Sequence, residues 1–136
     1  DYVLFLDSDD WLSDHALAQL GECLQEASHA TLAYGSHQRV DCAGQTPQII
    51  DSALFTAPMV SFSLTRRDRF DSKKPFEGDN HSWSRWVMER RRRGDHFVQS
   101  DALVGYRGIH EGNVSLEPGS FQGLIQIARQ LRESKS

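Results

Sequence analysis

The chain has very little cysteine: Cys23 and Cys42 are its only two, too few to indicate a disulfide scaffold. It also lacks an apolar run of transmembrane length or a signal-peptide pattern. Positive charge is not in excess, because the formal net charge is -4, and this argues against a nucleic-acid-binding protein. Of the broad classes of protein, these observations favour a globular one. A chain of 136 residues with 38% hydrophobic content can form one domain with its own core.

An acidic segment follows the first apolar run of the chain. Tyr2–Leu6 is rich in β-forming residues and predicts a buried strand of a mostly parallel sheet. Asp7, Asp9 and Asp10 come directly after it, where an open α/β sheet places its ligand site. Carboxylates this close repel each other unless a cation compensates, and Mg2+ is usually held by carboxylates together with substrate phosphates. The segment therefore predicts a site for Mg2+ or Mn2+ and a diphosphate.

The stretch Phe-Leu-Asp-Ser-Asp-Asp-Trp-Leu over residues 5–12 resembles the Asp-X-Asp segment of family 2 glycosyltransferases, which have the GT-A fold. The resemblance implies that Asp7 contacts the donor nucleoside and that Asp9 binds the metal bridging its diphosphate. Asp10 is a further donor-binding candidate. The fold class expected is α/β: a partial, Rossmann-like GT-A fold with a mixed, mostly parallel sheet flanked by helices, in one truncated domain over residues 1–136.

Other interpretations of the acidic segment remain. Asp and Ser are common in turns and caps, so the segment could be only a strand-to-helix turn. A calcium loop of the EF-hand kind does not fit, because the required Gly and further acidic ligands do not follow. A phosphatase of the haloacid dehalogenase type also has Asp-X-Asp after a strand, but Trp11 stands where that family has Thr or Val.

A helix that serves as scaffold is predicted after the acidic segment, and several short strands are predicted after the helix. Ser13 is a good N-cap for a helix running to about Ser28, with a buried stripe of Leu17, Leu20, Leu24 and Ala27. Further strands are predicted over Thr31–Tyr34, Gln38–Cys42, Ile49–Ile50 and Met59–Leu64. The basic run Thr65–Arg69 is interpreted as a solvated loop in preference to a phosphate contact.

A second informative segment lies at a predicted helix. Asp79 or Asn80 can cap this helix, and Gly94 can end it. Trp83, Trp86 and Val87 form its apolar face.

This helix also resembles family 2 enzymes, in which an acidic pair precedes a Trp and an Arg. Asp79, Trp83 and Arg85 reproduce that spacing. The resemblance implies that Asp79 is the catalytic base and that Arg85 belongs to the donor site. The Glu of the family's pair is Gly78 here, so Glu77 is a substitute candidate for the base. In the structural alternative, Asp79 only caps the helix.

A third segment resembles the family's Tyr-Arg-X-X-His-X-X-Asn-X-Ser ending, here Tyr106 to Ser115 after strands at Phe97–Val98 and Leu103–Arg107. The resemblance makes His110 a metal-ligand candidate, and an imidazole suits Mn2+ better than Mg2+. Alternatively, His110 only hydrogen-bonds its loop. The other five histidines are interpreted as surface or loop residues. A last helix is predicted to start at Pro118–Ser120 and to bury Phe121, Leu124, Ile127, Ala128 and Leu131.

The combined resemblance covers nearly the whole chain but only the second half of a family 2 catalytic domain. The chain begins at Asp1 without Met, and we interpret it as a fragment that is inactive alone. The parent is expected to be an inverting glycosyltransferase of polysaccharide biosynthesis. Its partners would be a nucleotide-sugar donor and a glycan, lipid-linked or protein acceptor, in the cytoplasm or peripherally at the cytoplasmic membrane face. The alternatives are a metal-dependent phosphohydrolase and a non-catalytic nucleotide-sugar or carbohydrate-binding fragment.

Overall fold

A computed structural model describes residues 1–42, 47–55, 58–71, 73, 81–111 and 120–133. Within these ranges the chain forms six strands and three α-helices. In chain order they are β1 (Tyr2–Val3), β2 (Asp10–Leu12), α1 (Ala16–Glu26), β3 (Leu32–Asp41), β4 (Gln48–Phe55), β5 (Ser63–Arg66), α2 (Ser82–Arg92), β6 (Phe97–Ile109) and α3 (Ser120–Glu133). Two short 3-10 turns, Val60–Phe62 and Arg67–Arg69, flank β5.

The strands form one mixed sheet in the order β1-β5-β3-β6-β2, with β4 also paired to β3. The α/β class is thus present, but the expectation of a mostly parallel sheet is wrong for the described strands. Only the β3–β6 pairing is parallel, and the other four pairings are antiparallel. Apolar runs indicate that a strand is buried, but the direction of its neighbour depends on the connections between strands.

The first apolar run is also less buried than expected. Only Tyr2 and Val3 form a strand, and β1 pairs with β5 at the end of the sheet. Phe5 is 42% exposed and Leu6 is 48% exposed. The prediction of a buried strand over Tyr2–Leu6 is therefore wrong, because an edge position leaves one side of the strand uncovered.

Helix α1 begins later than its sequence suggests. Ser13 does not cap it, because the Ser13 hydroxyl donates to the Leu103 carbonyl at 2.7 Å and its N–H donates to the Val104 carbonyl at 3.0 Å. The chain turns at His15, whose φ of 65° is left-handed, and the helix starts at Ala16. Ser13 thus joins the end of β2 to β6, and the tertiary hydrogen bonds override its capping preference.

The apolar stripe of α1 is confirmed at Leu20 and Leu24, which are fully buried. Leu17 is 53% exposed, so its inclusion in the stripe is wrong; the helix has only just begun there. Together with residues of β3, β5 and β6 the stripe builds the main core. Its members are Ala16, Leu20, Leu24, Ala30, Ala33, Phe62, Leu64 and Val104.

Strands β3 and β6 are each continuous where the sequence predicted two separate pieces. Their parallel pairing runs from Leu32 opposite Phe97 to Asp41 opposite Ile109, with irregular register near Gly35. A side chain at Gly35 would overlap the Val104 side chain, so the glycine allows the two strands to approach rather than interrupting β3.

The strands at Ile49–Ile50 and Met59–Leu64 are shifted relative to their predictions. The first extends over Gln48–Phe55, and the second begins only at Ser63, after the turn Val60–Phe62. The local alternation of polar and apolar residues did not distinguish a 3-10 turn from an extended strand.

Helix α2 ends as its sequence predicts. Gly94 has a φ of 88°, its N–H donates to the Arg91 carbonyl, and the Asp95 N–H donates to the Arg90 carbonyl. This is a Schellman motif, in which glycine occupies the left-handed position. The predicted caps Asp79 and Asn80 lie outside the described residues.

Apolar side chains of α2 pack as predicted. Val87 is buried, and the rings of Trp83 and Trp86 stack at a centroid distance of 5.3 Å. Helix α3 contacts α2, but its predicted face is wrong at Ala128, which is exposed, while Leu131 is half-buried. Across the described part of the chain, no helix combines the length and the apolar character that crossing a membrane requires.

Candidate functional site

Antiparallel pairing of β2 with β6 brings the acidic segment to the end of the long strand. Asp10 lies opposite Arg107, and the Gly108 N–H donates both to the Asp9 carbonyl at 3.0 Å and to Asp10 Oδ1 at 3.2 Å. A Cβ at Gly108 would overlap the Asp9 carbonyl oxygen. The absence of a side chain at Gly108 is therefore what lets the acidic segment lie directly on β6.

The three carboxylates of the segment are gathered at one point. Asp7, Asp9 and Asp10 each offer one oxygen, and these oxygens lie within 4.8 Å of one another. A turn holds them, because the Asp10 N–H donates to the Asp7 carbonyl at 3.1 Å. Asp7 is exposed, and the other two are half-buried. Like charges at such distances repel each other, which raises the energy of the fully ionised cluster.

Burial and mutual repulsion perturb two of these carboxyl groups. The pKa of Asp7 is raised, first by desolvation and then by the charge of Asp9, against a hydrogen bond from Ser61 and the charge of Arg107. Desolvation likewise raises the pKa of Asp10; the charges of Asp9 and Asp7 add to it, and hydrogen bonds from Ser61 and Gly108 oppose it. Asp7 and Asp10 thus hold their protons more readily than isolated carboxyl groups, mainly because burial disfavours their charged forms.

His110 joins this cluster from the far end of β6. Its Nε2 lies 2.7 Å from Asp9 Oδ2, although the two residues are 101 positions apart in the sequence. Both side chains remain about one-third exposed. The imidazole therefore contacts an aspartate of the acidic segment as well as lying in its own loop.

The carboxylates of the acidic segment and the imidazole of His110 are chemically suited to a divalent cation. Mg2+ accepts oxygen ligands at about 2.1 Å, so opposite ligand atoms around it lie about 4.2 Å apart. Adjacent ligands on such an ion lie only about 3.0 Å apart, so the three carboxylate oxygens, which lie within 4.8 Å of one another, would move closer together around it. An imidazole beside them would suit Mn2+ in particular.

The other predicted site residues are distributed as follows. Arg85 lies near the start of α2 and is half-buried. Asp79 and Glu77, the candidates for the base, lie outside the described residues. The structure thus brings together Asp7, Asp9, Asp10 and His110.

Sequence reasoning missed two residues that contact the acidic segment. Gly108 had a signal, since a glycine inside a strand often marks the close approach of another backbone. Ser61 had none: its Oγ accepts the Asp7 N–H at 3.1 Å, yet it lies 54 positions away in an unremarkable apolar stretch.

His37 was also misinterpreted as a surface or loop residue. It is fully buried in β3, and its ring stacks on Phe62 at a centroid distance of 4.6 Å. Desolvation, followed by the charges of Arg107 and Arg39, lowers the pKa of His37 to about 4. This histidine is neutral at pH 7 and packs as part of the core.

No protein-family model matches the chain, and no curated protein matches it significantly.

Proposed function

We propose that the chain is the second half of a catalytic domain of an inverting glycosyltransferase that uses a nucleotide-sugar donor and resembles family 2 enzymes. The observation that carries the proposal is the meeting of Asp9 and His110, 2.7 Å apart, beside two further carboxylates. The sequence motifs suggested both residues independently as metal ligands. Their meeting at the carboxyl end of β6 supports the proposal, since open α/β sheets bind ligands at the carboxyl ends of their strands.

In this proposal Asp9 and His110 hold Mn2+ or Mg2+, while Asp7 and Asp10 orient the donor. When bound, the cation neutralises charge on the departing nucleoside diphosphate. Asp7 contacts the ribose of the donor, and Arg85 is a further donor-binding residue. The pKa values of Asp7 and Asp10 are raised first by desolvation and then by neighbouring aspartates, and a cation bound beside them would favour the ionised carboxylates.

The proposed reaction is a single displacement. Asp79 takes the proton from an acceptor hydroxyl as that oxygen attacks the anomeric carbon from the face opposite the leaving diphosphate. The new glycosidic bond then has inverted configuration. Glu77 is the substitute base.

The first experiment is calorimetric titration of Mn2+ into the chain, with and without UDP as the nucleoside diphosphate probe. We expect Mn2+ binding that strengthens when UDP is present and disappears in Asp9→Ala. The matched control is Asp101→Ala, because Asp101 is an exposed aspartate within β6. Equal binding by the two variants would overturn the assignment of Asp9.

A second measurement separates the proposal from a hydrolase. Release of inorganic phosphate from p-nitrophenyl phosphate, dependent on Mn2+ and lost in Asp9→Ala, would favour a phosphohydrolase. In the parent enzyme, sugar transfer should fall by at least about a hundredfold in Asp79→Asn, a loss typical of removing a general base.

A further inference from the structure

Ser61 links the acidic segment to a separate part of the sheet. It lies in the 3-10 turn Val60–Phe62 and is fully buried. Its Oγ accepts the Asp7 N–H at 3.1 Å, although the two residues lie 54 positions apart in the sequence. This hydrogen bond ties the backbone of the acidic segment to the turn.

The turn that carries Ser61 is anchored firmly. The Phe62 N–H donates to the Met59 carbonyl at 3.0 Å, and the Ser63 hydroxyl donates to the same carbonyl at 2.6 Å. Phe62 is fully buried and stacks on His37 of β3. A side chain fixed in this way has little freedom, so it can determine where a neighbouring segment lies.

We propose that Ser61 is a positioning residue of the acidic site: it holds the Asp7 backbone and so determines where the acidic segment lies relative to His110. The inference rests on the proposed function, because it concerns the same site. Ser61 acts only through the Asp7 backbone and is not a metal ligand. Without its hydroxyl, the Asp7 N–H loses its acceptor, and one contact fewer holds the three carboxylates together against their mutual repulsion.

The chain offers a matched control for this inference. Ser63 is as deeply buried as Ser61, lies two positions further on, and also makes a hydrogen bond with its hydroxyl. Its partner is the Met59 carbonyl rather than the acidic segment. Replacing either serine with alanine therefore removes one buried hydroxyl from the same region, but only Ser61→Ala removes the hydrogen bond to the acidic segment.

The test is calorimetric titration of Mn2+ in the presence of UDP, on the whole chain. We expect affinity to fall by up to about tenfold in Ser61→Ala, the upper end of the range for one lost hydrogen bond between neutral groups. Ser61→Thr, which keeps the hydroxyl, should restore most of the affinity. Ser63→Ala should bind Mn2+ like the unaltered chain even if its thermal unfolding midpoint falls.

A second measurement reports on Ser61 without using the metal. Amide hydrogen exchange at Asp7 should speed up by about tenfold in Ser61→Ala and stay unchanged in Ser63→Ala, because exchange requires breaking the bond to Oγ. Equal Mn2+ affinity and equal Asp7 exchange in the two alanine variants would overturn the positioning role while leaving the proposed function intact. Failure of the unaltered chain to bind Mn2+ would overturn the metal site proposed for Asp9 and His110 in this chain, and Asp7 exchange would then decide the role of Ser61 by itself.

Discussion

Gly108 determines whether the acidic segment can lie on β6, because its N–H donates to two atoms of that segment and its Cα faces the Asp9 carbonyl. We expect Gly108→Ala to destabilise the fold by about 1–3 kcal/mol, as overpacking does, and to abolish Mn2+ binding. Urea unfolding and calorimetric titration would measure the two effects.

The control for this substitution is Gly21→Ala. Gly21 lies inside α1, and an added Cβ there meets nothing within 4 Å. Alanine should stabilise that helix by about 0.5–1 kcal/mol. Normal Mn2+ binding by Gly108→Ala would contradict the close approach of the Asp9 carbonyl to Gly108, and destabilisation by Gly21→Ala would show that an added methyl group is harmful even where the structure has room for it.

His37 should make folding stability depend on pH. Its pKa is about 4 in the folded chain, against 6.5 for the ordinary side chain. The unfolded chain therefore takes up a proton between pH 6.5 and 4 while the folded chain does not, and stability falls as the pH falls through that window. The loss should reach about 3 kcal/mol at most. Urea unfolding at pH 7.5 and pH 5 would measure it.

Removing the imidazole separates this effect from those of other groups. His37→Leu should lose most of the difference in stability between the two pH values, whereas His96→Leu, at an exposed position, should keep it. Asp7 and Asp10 act in the opposite sense, because their raised pKa values favour protonation of the folded chain. An NMR titration in which the His37 ring titrates near pH 6.5 would refute the prediction directly.

At the scale of the elements, sequence patterns predicted what depends on local chemistry. The positions of α1 and α2 and the glycine after α2 follow from apolar periodicity and from the left-handed conformation that Gly94 adopts. Boundaries that depend on distant partners were not predictable. Ser13 prefers a cap locally but hydrogen-bonds β6, and Gly35 looks like a break but lies inside β3.

Arg66 is another residue whose role depends on partners that lie far away in the sequence, and its contacts lead to a prediction. The sequence predicts that the basic run Thr65–Arg69 is a solvated loop. Arg66 instead donates hydrogen bonds to three carbonyls in the last turn of α1 and just after it, those of Leu24, Ala27 and Ala30. A cation suits that end of a helix electrostatically. Arg66→Met should therefore cost about 2 kcal/mol of unfolding free energy, measured with urea.

The adjacent Arg67 is the natural control, because it is exposed. Arg67→Met should change stability by no more than about 0.5 kcal/mol, as most surface substitutions do. If the two variants unfolded at the same urea concentration, the hydrogen bonds of Arg66 to α1 would make no net contribution to the free energy of unfolding.

At the scale of the whole molecule, the pairing of β2 with β6 brings together residues that lie far apart in the sequence. β2 begins at the last aspartate of the acidic segment, β6 ends just before His110, and their antiparallel contact brings Asp9 and His110 together. The sequence motifs indicated these two residues as site candidates. They did not determine the direction of the strands, since a short apolar run is compatible with either direction.

The pairing of β2 with β6 leads to a prediction about ion selectivity, because the two proposed ligands come from different elements. If His110 and Asp9 hold one cation, replacing the imidazole should weaken Mn2+ more than Mg2+, because Mg2+ strongly prefers oxygen ligands. In His110→Ala we expect Mn2+ affinity in the presence of UDP to fall by about tenfold or more, and Mg2+ affinity by less than about threefold. His96→Ala, which removes an exposed histidine before β6, is the control and should change neither. An equal loss for both ions would mean that His110 only supports the Asp9 carboxylate, and no loss for either would place the cation on the three carboxylates alone.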